Sequence, residues 1–185
     1  MEDLQRPKNP PHRDRRIWPK EQEAILLCLR YSEEWPVEQQ QQRVAVAFLF
    51  ALETAMRAGE ICALCPEHID IEKRVALLVD TKNGFPRKVP LSKEALRLLE
   101  RLRPWDNGEQ LFRVRSGNLS TVFKKAVTRA GIEDLTFHDT RHEAITRLAQ
   151  KLDVMDLARM VGHRDIKQLM TYYNKQAEEL ALQLD

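Results

Sequence analysis

Residues 136–152 read TFHDTRHEAITRLAQKL, the densest run of chemistry-bearing side chains in the sequence. Ile145, Leu148, Ala149 and Leu152 recur on one face at helical spacing, and Thr136 with Asp139 has capping-box separation. A helix with a buried apolar stripe and a polar first turn is predicted. His138 and Arg141 stand three residues apart on that turn and point the same way. An imidazole that can donate a proton, beside a guanidinium that can fork onto two oxygens, suits a phosphate. On this pair alone, a solvated first turn with incidental charges competes with that reading.

Toward the C-terminus, Asp153 can cap a helix that stops at Gly162, and Asp165 with Gln168 opens another through Tyr172 and Tyr173. Toward the N-terminus, a helix through Val122 and Ala130 ends at Gly131, and Ser92 can cap one carrying Ala95, Leu98, Leu99 and Leu102. Between Ile69 and Leu91 the pattern changes. Residues 69–71, 75–79 and 87–91 read as strands, Asn83-Gly84 is a hairpin turn signal, and Pro86 makes the returning strand either an edge or irregular at its start. Earlier, Val44, Phe48, Ala51, Leu52 and Ala55 mark a helix after Pro36, and Ala24, Leu27, Cys28 and Tyr31 mark the inner face of one starting at Pro19. The helical pattern breaks at Ala58-Gly59 and resumes through Leu64, leaving Arg57 displayed at a turn. The fold class expected is mainly α with a small three-stranded antiparallel β-sheet.

The length of 185 residues and mass of 21.6 kDa suit one main domain. With 43% hydrophobic and 31% charged residues, the composition is that of a folded soluble chain rather than a disordered or collagenous one. The longest apolar run, Val44 to Leu52, is far short of the roughly 18 residues of a spanning helix, and residues 1–20 hold no signal-peptide core. Membrane and secretory classes are therefore not expected. Cys28, Cys62 and Cys65 are odd in number and fit a reducing compartment such as the cytoplasm. Cys62, Cys65 and His68 have a metal-like spacing, but no second pair completes four ligands, and no metal site is expected.

A formal charge of +2 makes no case for a nucleic-acid partner; charge placement does. Residues 81–93, with Lys82, Arg87, Lys88 and Lys93, contain no acid. Nor do residues 111–132, with Arg113, Arg115, Lys124, Lys125 and Arg129. Arg87, Lys88, Arg113, Arg115, Lys124 and Lys125 are the expected DNA contacts, because acid-free basic faces can neutralise phosphates. A further imidazole, His163, follows Gly162, and Tyr172 lies nine residues later, where a phenol can serve as a covalent nucleophile. No phosphate-cradling glycine loop and no cluster of paired carboxylates is present in the sequence.

Arg57 within residues 54–61, Lys82 in Thr81-Lys82, the His138-x-x-Arg141-His142 stretch, Gly162-His163 and Tyr172 occur in that order, and together they resemble the signature of tyrosine recombinases, the phage integrase family. The resemblance extends over about residues 17–175 and implies that family's catalytic-domain fold. It implies that Arg57 and Arg141 hold the non-bridging oxygens of a scissile phosphate, that His138 assists proton transfer, and that His163 supports the same oxygens. Lys82 would protonate the departing 5′ oxygen, and Tyr172 would attack to give a 3′-phosphotyrosyl enzyme. It further implies a site-specific DNA recombinase or integrase acting without metal or nucleotide cofactors, on double-stranded DNA target sites, as a homo-tetramer on synapsed DNA in the cytoplasm of a bacterial cell. A DNA-relaxing topoisomerase of the same chemistry, and a non-catalytic DNA-binding regulator keeping the fold, are the alternatives.

The family usually has Gly where Ala55 stands, so the turn presenting Arg57 is expected to be set by Gly59 instead. Tyr173 is assigned a structural role, Lys88 is a rival to Lys82, and His142 is placed behind the site as packing. The domain reading is a basic arm or linker over residues 1–16, with Pro7, Pro10, Pro11 and five basic against three acidic residues. A catalytic domain follows over 17–174, and the C-terminal tail over 175–185 is expected either to dock on a neighbouring protomer or to pack on its own domain. Such a chain looks like the catalytic domain of a longer recombinase.

Overall fold

Val44 to Ala47, Phe48, Phe50, Ala51 and Leu52 leave one helix apolar on almost every side, and such a helix has to lie inside the protein. The computed structural model, which describes residues 15–79, 86–163 and 165–173, places it there. In chain order, the elements are α1 (Pro19–Cys28), this central helix α2 (Gln40–Thr54), α3 (Ala58–Cys62), a 3₁₀ turn (Pro66–His68), and strands β1 (Ile69–Asp70), β2 (Val75–Leu78) and β3 (Arg87–Pro90). Then come α4 (Lys93–Glu100), α5 (Ser116–Arg129), α6 (Asp139–Ala149), α7 (Val154–Val161) and α8 (Lys167–Met170). Helices α4, α5 and α6 pack around α2, so burial of its side chains is what joins the two halves of the chain. The architecture is the expected one, mainly helical with a three-stranded antiparallel sheet in the order β1-β2-β3.

The register pairs Ile69 with Ala76 and Leu77 with Lys88, and β3 is an edge, as Pro86 and Pro90 require. The Asn83-Gly84 turn and Lys82 lie outside the described residues, as do residues 1–14 of the arm and the tail from residue 174. Helix α7 packs on β3 and brings the C-terminal part of the chain over the sheet. No helix among the described residues is long and apolar enough to cross a membrane.

Aromatic packing sets where the polar turn of residues 136–142 emerges. Phe48 of α2 meets Phe123 of α5 at 5.2 Å between ring centroids, and Phe123 meets Phe137 edge-on at 5.3 Å. With Phe137 anchored in the core, the next residue, His138, is turned out to solvent. The Asp139 carboxylate accepts the Thr136 N–H at 2.7 Å and its hydroxyl at 2.8 Å, but the Asp139 N–H bonds the Thr136 carbonyl at 3.1 Å instead of the hydroxyl, so only one half of the expected box forms, and α6 starts at Asp139. Ser92 and Asp153 cap α4 and α7 through their side chains as expected.

Three details differ from the sequence reading. Leu27 is 79% exposed, because Ile25 and Leu29, four apart, take the inner side of α1 and its C-terminal residue, and Leu27 falls opposite them. The helix break comes at Ala55, not at Ala58-Gly59. Helix α8 is a single turn that ends before Tyr172, leaving both tyrosines on a turn.

Glu143 of α6, fully enclosed, fixes the entering chain to this frame. Its carboxylate accepts Arg16 Nε at 2.7 Å, the Ile17 N–H at 3.1 Å and Arg147 Nε at 2.7 Å. Burial alone would raise its pKa, but these donors outweigh it and bring the value from 4.5 to about 2. A carboxyl group depressed on folding stabilises the fold above its unfolded value and loses that contribution as pH falls through the folded one. Glu143→Gln is therefore expected to reduce stability by about 2 kcal/mol at pH 7 in urea unfolding. The gap to the unaltered chain should close as the pH is taken from 4.5 toward 2.

Candidate active site

Ala55 ends α2 in the left-handed region, at φ 53° and ψ 20°. It adopts this conformation without glycine's freedom, at a cost of about 1–2 kcal/mol. Gly59, inside α3, has no part in the turn. The turn brings Arg57 to the head of α3, where Glu60 reaches back to it. Glu60 accepts the Arg57 main-chain N–H at 2.8 Å and its Nη1 at 3.0 Å.

The same carboxylate holds a second guanidinium. Arg87 of β3 donates Nη1 and Nη2 to the two Glu60 oxygens, each at 2.8 Å, and Nε to the Met160 carbonyl at 3.1 Å. Burial would raise the Glu60 pKa, but the bonds from Arg87 and Arg57 hold it below the ordinary carboxylate value. Arg87, an expected DNA contact, is placed here inside the fold. With its side chain only 10% exposed and all three nitrogens engaged, it joins α3, β3 and α7. Gly162 caps α7 at φ 71°, and a Cβ there would come within 3.1 Å of Arg87 Cδ, so both the turn and the close approach require glycine.

Arg141 of α6 is 4% exposed. Its Nη1 donates to the Ala55 carbonyl and its Nη2 to the Val161 carbonyl at 2.7 Å, which ties α6 to the ends of α2 and α7. Burial, then the nearby charges of Arg57 and Arg87, lower its pKa to about 9, against the opposing pull of Glu60 and Tyr172. Three guanidiniums therefore share one carboxylate, and the surplus positive charge faces a cleft of about 330 Å³. Arg57, His138, Arg141, Ser120 and Lys124 line it. Such a cleft favours an anion with several oxygens.

Tyr172 follows α8, and its hydroxyl lies 2.7 Å from His142 Nδ1, with the rings 5.2 Å apart. Tyr173 points elsewhere and donates to the Leu152 carbonyl at 2.7 Å. His163, half-buried, stands just past Gly162, with its main-chain N–H on the Ala158 carbonyl at 3.1 Å. Of the expected site residues, Arg57, His138 and Arg141 thus share the cleft, and Tyr172 lies close enough to Arg141 to affect its charge. Lys82 falls outside the described residues.

The remaining expected DNA contacts separate. Lys124 enters the cleft, while Lys125, one residue along α5, lines a different groove with Gln39 and Arg129. Lys88 and Arg115 are exposed, and Arg113 is paired with Asp106 and with Glu109, the latter at 3.2 Å. Cys62 is buried, and His68 Nδ1 accepts the Cys65 N–H at 3.1 Å. No group of three or more metal-ligating side chains is found among the described residues.

The sequence reading did not single out Glu60, and it treated His142 as packing without pairing it with Tyr172. Both had a signal: Glu60 stands three residues after Arg57 at a helix start, and His142 stands four after His138, on the same helical face.

The phage integrase family model matches residues 15–179. The chain belongs to the phage integrase family. A Haemophilus influenzae protein that bears the name integrase/recombinase is 42% identical over the whole of this chain and 61% of its own length. The shufflon-specific DNA recombinase of Escherichia coli is 39% identical over the whole of this chain and 46% of its own. The chain thus spans about half to three-fifths of these relatives. Among solved structures, the Tn1549 transposon integrase in complex with circular intermediate DNA superposes with a TM-score of 0.70 at 20% identity, over 96% of this chain and 67% of that one. The phage integrase fold is therefore shared even where the sequence has diverged.

Within this integrase domain, Glu60→Gln is expected to lower stability by about 3 kcal/mol or more in urea unfolding, since the enclosed Arg87 loses its counter-charge. Lys88→Ala, on the exposed side of the same strand, should change it by less than about 0.5 kcal/mol.

Proposed function

We propose that this chain is the catalytic domain of a site-specific DNA recombinase, which cleaves and rejoins strands through a 3′-phosphotyrosyl intermediate. The observation that carries the proposal is the convergence of Arg57, Arg141 and His138 on one positively charged cleft, with Tyr172 within electrostatic range of Arg141. A phosphodiester seated there places its non-bridging oxygens against the two guanidiniums. The positive charge, already oriented and partly shielded from water, stabilises the pentacoordinate transition state more than the ground state. Tyr172 Oη bonds to phosphorus, the P–O5′ bond breaks, and the leaving oxygen takes a proton from Lys82. His138 and His163 bond the phosphate oxygens. The ester conserves the energy of the broken linkage, so a 5′ hydroxyl from a second strand reverses the step without a nucleotide.

Lys124 at the cleft, with Lys88, Lys125 and Arg115 on the exposed surface, supplies further phosphate contacts along double-stranded DNA. The working unit is a homo-tetramer on two synapsed target sites, in the bacterial cytoplasm. Residues 1–16 act as the linker, 17–174 as the catalytic domain, and 175–185 as a tail for protomer contacts.

A nicked duplex that traps the covalent state tests the proposal. The unaltered chain is expected to accumulate a protein–DNA adduct, Tyr172→Phe to give none, and Arg57→Ala and Arg141→Lys to slow adduct formation by about a hundredfold or more. An adduct that persists in Tyr172→Phe overturns the assignment. Exchange between two marked duplexes distinguishes recombination from simple relaxation.

A further inference from the structure

We infer that His142 is a catalytic residue, the group that holds the Tyr172 phenol and takes its proton during attack. The inference rests on the reading of Tyr172 as the nucleophile. A phenol with an ordinary pKa of about 10 is almost wholly protonated near neutral pH, so attack on phosphorus needs an acceptor for its proton. That acceptor has to lie about 2.6–3.2 Å from the oxygen. His142 Nδ1, at 2.7 Å from Tyr172 Oη, does so, and in the tautomer carrying its hydrogen on Nε2 it presents a lone pair to the hydroxyl.

Both ends of this bond are pinned by contacts outside it. Arg141, the preceding residue, ties α6 to the Ala55 and Val161 carbonyls and so fixes the helix's rotation about its axis. At about 100° of turn per residue, that also fixes the direction in which His142 leaves the helix. On the other side, the Tyr172 N–H bonds the Leu169 carbonyl at 2.9 Å, and Tyr173 is anchored on the Leu152 carbonyl. A distance held this way exists before substrate arrives, which is the condition under which a proton acceptor contributes most. The roles on α6 then divide: His138, at the cleft, serves the phosphate, and His142, four residues on, serves the nucleophile.

The step balances. As the Oη–P bond forms and the P–O5′ bond breaks, the phenolic proton passes to Nδ1 and His142 becomes an imidazolium. The 5′ oxygen receives its proton from a different group, Lys82 in the scheme above. On rejoining, the imidazolium returns its proton to the departing phenolate, so the enzyme is restored after each cycle.

Single-turnover adduct formation by the full chain on a nicked duplex tests the inference, with duplex binding measured separately. His142→Ala is expected to bind DNA as before but cleave at least about a hundredfold more slowly, and added imidazole should recover part of the rate. His142→Asn places an amide near the Nδ1 position, where it can bond the phenol but not take a proton, and should stay slow while folding normally. A His142→Ala rate within threefold of the unaltered chain overturns the inference. So does full recovery in His142→Asn, which would leave His142 as a holder only. Tyr172→Phe keeps the two readings apart. If it still forms adduct, the nucleophile is misassigned; if it forms none while His142→Ala is unimpaired, only the role of His142 falls.

Discussion

A guanidinium shut away from water needs its charge answered, and Arg141 lies near those of Arg57 and Arg87, with Glu60 the carboxylate among the described residues that offsets them. Its direct partners are neutral main-chain carbonyls at the ends of α2 and α7. The structure therefore holds a concentration of positive charge together by geometry. Ala55 accepts a strained left-handed backbone to aim its carbonyl, Gly162 opens room for Arg87, and Glu60 restrains Arg57 and Arg87 at once. Each part lies at the end of a helix or on the edge strand, so the cleft is where the elements meet. That concentration of charge is the electrostatic basis of the proposed affinity for a phosphodiester.

That arrangement explains which residues of the signature cooperate. Arg57 and Arg141 stand 84 residues apart in the sequence and reach one cleft because α3 and α6 both pack against α2. Tyr172 arrives through a separate, smaller apolar cluster under α6, α7 and α8, formed by Ala144, Ile145, Leu157, Val161 and Leu169. Cleft and Tyr172 thus rest on different packing units, with α6 common to both. Arg141 and His142, adjacent on α6, are the points where the two are joined.

Much of this was legible in the residues themselves. The apolar run of α2, the caps at Ser92 and Asp153, the left-handed stop at Gly162 and the three strands follow from period, turn chemistry and glycine alone. The turn before Arg57 was not legible, because nothing local marks Ala55 as left-handed; the demand comes from Arg141, 86 residues away. Leu27 misled because helical spacing identifies a face but not which of two candidate faces the rest of the chain covers. The pairing of Arg87 with Glu60 was not legible either, because Glu60 lies 27 residues earlier, where no charge pattern along the chain reveals it.

The proposed chemistry depends most on Tyr172, rather than its neighbour, being the residue that joins to DNA. Tyr173 has its hydroxyl on the Leu152 carbonyl, whereas that of Tyr172 lies beside His142 and near Arg141. Both tyrosines fall in the tryptic peptide spanning residues 168–175, so fragmentation mass spectrometry of that peptide from a trapped adduct, digested to a short nucleotide remnant, tells them apart. The added mass is expected on Tyr172 alone. A remnant on Tyr173, or a trapped adduct whose peptide carries none, would contradict the account.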